Sequence, residues 1–167
     1  GLQVLSLDDY KKKTDNYDLL VVHAPNIRNH YFFLKKYEKR FNNIVFFFHG
    51  HEVLYINKVY SKPYPYIKNN KLKNCAQNIY DSVKLNMWHR YFPRLASKSN
   101  YVFVSRWMLN EFKKWVRLTE EDLQGNITIT YNGIGKKFEE SKYEKNGDKK
   151  YDFITVRGDL DGSKYGI

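Results

Sequence analysis

Apolar residues run along this chain in short blocks whose spacing switches between that of a strand and that of a helix. "LQVLSL" suits a short strand, and "DDYKKKT" after it a brief helix or loop. "YDLLVVHA" is apolar at successive positions, the pattern of a strand buried on both faces and central in a parallel sheet. Pro25 and Asn26 then open "NIRNHYFFLKKYEKRF", where Ile27, Tyr31, Leu34 and the Phe41 region recur near the helical period, with Lys35, Lys36, Lys39 and Arg40 outside. "NIVFFF" is a third strand, and it delivers His49 to its carboxyl end.

Further on, "NIYDSVKLNMWHRYF" has helical periodicity, with Pro93 expected to interrupt or kink it. "NYVFVS" is a strand, and Ser105 is placed to cap the helix "RWMLNEFKKWV", whose Met108, Phe112 and Trp115 share a face. "NITITYNG" is a further strand ending in a turn. Strand and helix alternate, which predicts an α/β fold: a Rossmann-like, mostly parallel sheet flanked by helices.

The charged stretch "FEESKYEKNGDKK" reads as a linker, and "YDFITV" after it as a new strand. The expected division is an acceptor-side Rossmann-like domain over residues 1–138, a linker over 139–150, and the first strand and loop of a second domain over 151–167. The chain opens at Gly1 rather than methionine and stops soon after its last strand begins, so it reads as a fragment.

Composition narrows the picture. At 167 residues the chain is long enough for a substantial core, and no window approaches the roughly 18 unbroken apolar residues of a membrane span. The single cysteine, Cys75, excludes an internal disulfide framework and a cysteine-built zinc site, and it fits a cytoplasmic location. Lysine and arginine outnumber aspartate and glutamate by 29 to 18, a formal charge of +11 that attracts phosphates and anionic surfaces.

The chemistry concentrates in "FFFHGHEVLY", where an apolar strand stops at His49, Gly50, His51 and Glu52. Two histidines separated by one residue at a strand end can hold zinc. Such a site needs further ligands; of the remaining His23, His30 and His89, the last two fall in predicted helices, and the chain is short for a barrel hydrolase. No metal and no cofactor is therefore expected. The alternatives are a metal-free active-site edge, since ligands collect outside the carboxyl ends of strands in open α/β sheets, and a plain polar turn in which Gly50 allows positive φ.

Three other strand ends carry similar polar residues: His23 with Asn26, Ser105 with Arg106, and Asn132 with Gly133. Their joint order resembles the N-terminal domain of GT-B glycosyltransferases, in particular the retaining family-four group. "YDLLVVHA" before a helix, "VFFFHG", "VFVS" and "ITYNGIGKKF" look like successive landmarks of that domain, and "FITVRGDLDGSKYGI" looks like the opening of its second domain. The resemblance implies a transferase moving a sugar from a nucleotide-sugar donor to a sugar, lipid or polysaccharide acceptor. By the same resemblance His49 is the catalytic residue touching the donor sugar. His51, Glu52, His23, Asn26, Ser105, Arg106, Asn132 and Gly133 belong to the acceptor side or the cleft, and Arg157 and Lys164 neutralise the donor diphosphate. The family's glycine-rich turn has no counterpart, because no glycine occurs between Gly1 and Gly50, and the "RG" order at Arg157 departs from the usual "GR". A fragment lacking these parts is expected to be inactive alone.

From Val53 to Tyr80 there is no acidic residue, while lysines alternate with tyrosines around Pro63 and Pro65. The segment reads as a solvated loop, as an anchor on the inner face of an anionic membrane, or as a nucleic-acid groove. No nucleic-acid fold motif accompanies it, so nucleic acid is the least favoured partner. The rival to a transferase is a non-enzymatic basic α/β module binding nucleic acid or an anionic surface.

Overall fold

The computed structural model describes residues 6–60, 70–131 and 133. Four strands, β1 (Tyr17–His23), β2 (Phe41–Phe48), β3 (Ser99–Phe103) and β4 (Ile127–Ile129), form one all-parallel sheet and lie side by side in chain order. A short helix, α1 (Leu7–Lys12), precedes the sheet. The crossovers carry α2 (Phe32–Tyr37), then α3 (Ile56–Val59) and α4 (Lys71–Leu95), then α5 (Arg106–Val116). The fold is Rossmann-like α/β, as the alternation predicts.

The three crossovers step the same way across the sheet. Toward the carboxyl end of β2 burial alternates and one face is covered: Ile44, Phe46 and Phe48 are fully buried, whereas Val45 and Phe47, on the opposite face, are only half-buried. The covered face is aromatic. Phe46 packs 5.2 Å from Phe92 of α4, Phe48 packs 5.4 Å from Phe112 of α5, and Trp88 stacks on Phe92 at 4.7 Å. Removing one such ring, as in Phe48→Ala, costs about 3–5 kcal/mol.

Several local expectations need correction. Among the described residues β1 pairs with β2 alone rather than lying between two strands, and Leu19 and Val21 are 52% and 44% exposed. Apolarity on both faces is a property of the segment, whereas the place of a strand in a sheet is set by its pairing. Residues 2–5 of "LQVLSL" lie outside the described residues, and its last two are the start of a helix: the Ser6 hydroxyl accepts from the Asp9 amide at 3.1 Å and Leu7 opens α1. Phe41 belongs to β2, since the tight turn Glu38–Arg40 ends the preceding helix.

α4 begins earlier than its apolar periodicity indicated. The Asn70 side chain caps it by accepting from the Lys73 amide at 3.1 Å, and it runs 25 residues, with Pro93 inside its last turn. Ser105 caps α5 as expected, accepting from the Met108 amide at 3.1 Å. The linker, the second-domain strand, and the Pro63 and Pro65 stretch lie outside the described residues.

Candidate functional site

The carboxyl ends of β1 and β2 meet in a cluster of histidines. His23 closes β1, pairs in register with Phe47, and stacks on it at 4.9 Å. His49 follows β2 by one residue, and its Nε2 lies 3.3 Å from Nδ1 of His23, the two rings stacking at 5.6 Å. Both imidazoles are exposed. A neutral imidazole offers one donor and one acceptor, so this contact uses one of each and leaves a second nitrogen on each ring open to a ligand.

The chain reverses sharply after His23. Ala24 has φ 48°, a left-handed backbone that L side chains rarely adopt, and its amide still donates to Phe47 O at 2.9 Å. Strain of this kind, about 1–3 kcal/mol, gathers at binding sites. Beyond it the Asn26 side chain accepts from the Asn29 amide at 2.8 Å, and the Asn26 amide donates to His30 Nδ1 at 3.1 Å. Burial holds the His30 imidazole below the ordinary histidine value, which favours the neutral form whose Nδ1 accepts from the Asn26 amide.

After His49 the backbone turns away. Gly50 has φ 168°, an extended value, and a Cβ there would meet nothing within 4 Å; of its alternative readings, the positive-φ turn is not what occurs. Glu52 folds back so that its carboxylate accepts from the Gly50 amide at 2.6 Å, which closes the turn. His49 and His51 consequently part company: His49 joins His23, while the His51 ring packs 5.4 Å from Tyr60.

The segment after this turn is tied to α4 by a buried ion pair that the sequence reading missed. Asp81 is fully buried and Lys84 nearly so, with Nζ 2.7 Å from the Asp81 carboxylate. Lys84 also donates to His51 O at 3.0 Å and Leu54 O at 2.9 Å, so all three of its donors are used. Asp81 accepts in addition from the Ile56 amide at 2.8 Å and from Gln77 at 3.1 Å. Burial pushes the Lys84 ammonium below the usual lysine value, and the Asp81 carboxylate opposes that shift. The signal available in the sequence was the Asp81, Lys84 spacing of three residues, which brings two side chains together on one helix face.

A cleft of about 370 Å³ opens between the two strand ends and α4, lined by Ala24, Asn26, His51, Glu52, Gln77, Tyr80 and Lys84, with Ile56. It unites Asn26, His51 and Glu52 from the expected set, beside the His23 and His49 pair. Ser105 and Arg106 stand one strand further along the same edge, where the Ser105 hydroxyl is engaged in capping α5 and Arg106 is exposed. Gly133 is exposed, and Asn132, Arg157 and Lys164 lie outside the described residues. Among the described residues no three histidine, cysteine, aspartate or glutamate side chains converge as metal ligands would.

No family model, curated protein or solved structure matches the chain. The site offers an imidazole pair, a strained turn and a neighbouring polar cleft at the carboxyl end of a parallel sheet, where ligands collect in open α/β folds.

Proposed function

We propose that this chain supplies the acceptor-side domain of a retaining GT-B glycosyltransferase, which moves a sugar from a nucleotide-sugar donor to an acceptor. The observation that carries the reading is the His23 and His49 pair, set 3.3 Å apart at the carboxyl edge of the sheet and beside the Asn26, His51 and Glu52 cleft. In this reading His49 hydrogen-bonds the donor sugar without a metal, and His23 fixes the ring that does so. The cleft receives the acceptor. Arg157 and Lys164 are assigned to the donor diphosphate through charge-assisted contacts, and Asn132 and Gly133 to the cleft. Catalysis then rests on placing two substrates together and stabilising the leaving diphosphate.

The partner surface we assign is an anionic membrane at its cytoplasmic face, carrying a lipid or polysaccharide acceptor. Leu72, Ile79 and Val83 recur along one side of α4 and are 83%, 61% and 53% exposed, with Lys71 and Lys73 beside them. No acidic residue occurs between Val53 and Tyr80 to repel anionic lipid. No described helix is long and apolar enough to cross a membrane, so this contact is peripheral.

The test is sugar transfer from labelled nucleotide sugars by the protein that carries this chain, with anionic vesicles or polysaccharide as acceptor. Transfer that depends on His49 supports the reading; binding to vesicles or nucleic acid without any transfer favours the non-enzymatic basic module.

A further inference from the structure

We infer that a second cleft, between α3, α4 and the end of α5, binds a phosphate monoester carried on a small hydroxylated compound. The cleft holds about 290 Å³, close to the lower end of the roughly 300–1,000 Å³ typical of small-ligand sites. Lys58, Lys114 and Arg117 border it, together with the rings of Tyr55 and Trp115.

Two of the cations, Lys58 and Lys114, sit against those rings. Lys58 Nζ lies 4.2 Å from the Tyr55 ring centre and 5.7 Å from that of Trp115, and Lys114 Nζ lies 4.7 Å from that of Trp115. An ammonium seated on an aromatic face is positioned and partly stripped of water before any anion arrives, which lowers the cost of binding one. The nearby carboxylate is Glu111, 3.8 Å from Lys114 Nζ, and its other oxygen accepts from the Trp115 indole at 2.6 Å. Three cations against this one carboxylate leave a net charge of +2. Among the described residues neither Lys58 nor Arg117 forms an ion pair.

Arg117 also sits where a helix end usually places glycine, in the left-handed backbone at φ 60°. Ser82 and Asn86 of α4 complete the lining with neutral polar groups, and Ser82 Oγ is 3.3 Å from the Tyr55 hydroxyl. A phosphate monoester carries close to two charges and three acceptor oxygens, matching three cations better than a carboxylate does. Serine and asparagine suit hydroxyl groups on the same ligand. A concave site of this size selects a compact ligand over a duplex or a lipid surface.

The inference is independent of sugar transfer. Its test is a titration of the full chain with glucose 6-phosphate, followed by the indole amide signals in two-dimensional NMR. The expected result is a saturable shift of the Trp115 signal, weakened by salt as screening requires. Lys58→Gln and Arg117→Gln, both exposed substitutions, should each weaken binding roughly tenfold or more, the scale of a lost charged hydrogen bond. His49→Ala should leave it intact, and glucose should produce no shift. No saturable shift up to concentrations on the order of 10 mM, or an equal response to glucose, overturns the inference. So does unchanged glucose 6-phosphate affinity in both charge variants, or tighter binding of anionic vesicles or a single-stranded oligonucleotide at the same residues.

Discussion

Nδ1 of His23 lies 3.3 Å from Nε2 of His49, across the carboxyl ends of two adjacent parallel strands. The contact depends on the pleat: Phe47 and His49 are two residues apart and so share a face, and Phe47 pairs with His23. The contact couples the tautomers of the two rings, since one nitrogen must donate and the other accept, and it orients His49. His23→Ala should lower sugar transfer by roughly tenfold, because small misplacements of a reacting group already carry large rate penalties. A steady-state assay checks this, and the effect should fall mainly on kcat.

Lys84→Met should destabilise the fold by about 3–5 kcal/mol, because it leaves Asp81 charged, buried and unpaired. It also orphans the carbonyls of His51 and Leu54, so the turn that follows His49 should loosen. Urea unfolding monitored by circular dichroism reads the loss, and a change under about 1 kcal/mol would mean that the pair is not buried as described.

Stability should fall as the pH drops below the ordinary histidine value of 6.5, through His30. Its folded value is held below the ordinary 6.5 by burial, and its Nδ1 accepts from the Asn26 amide. A depressed folded value contributes stability that is fully present above the unfolded value and is lost as pH falls from there through the folded value. Protonation removes the acceptor and releases the start of the Ile27–Tyr31 turn. His30→Gln should flatten this pH dependence in urea midpoints measured across the range.

The α4 stripe supplies a membrane prediction. Ile79→Glu and Val83→Glu should abolish sedimentation with anionic vesicles while leaving the fold intact, since both side chains are more than half exposed. Wild-type binding should weaken with salt, because attraction between exposed charges is screened over roughly 8 Å at physiological ionic strength. Equal binding to neutral vesicles would contradict it.

Much of the fold could be read from local signals. The Ser105 cap, the alternation of strand and helix, and the arrival of His49 at a strand end all follow from patterns a few residues long. What could not be read is set by pairing over distance. The pairing of β1 with β2 alone among the described residues, the contact of His23 with His49 across 26 residues of chain, and the docking of the His51–Ile56 segment on Lys84 and Asp81 each depend on register or on a crossover. The strain at Ala24 was hidden for a related reason. A left-handed backbone is most readily anticipated at a glycine and is one of the readings of Gly50, whereas Ala24 carries the conformation.

The most direct test of the central claim is nucleotide-sugar turnover by the protein that carries this chain, wild type against His49→Ala. Loss of a positioned contact to the reacting sugar should lower transfer by roughly 10²-fold or more, with an unchanged unfolding midpoint and a smaller effect from His51→Ala. Comparable transfer by wild type and His49→Ala, or no turnover of any nucleotide sugar by either, would contradict the assignment.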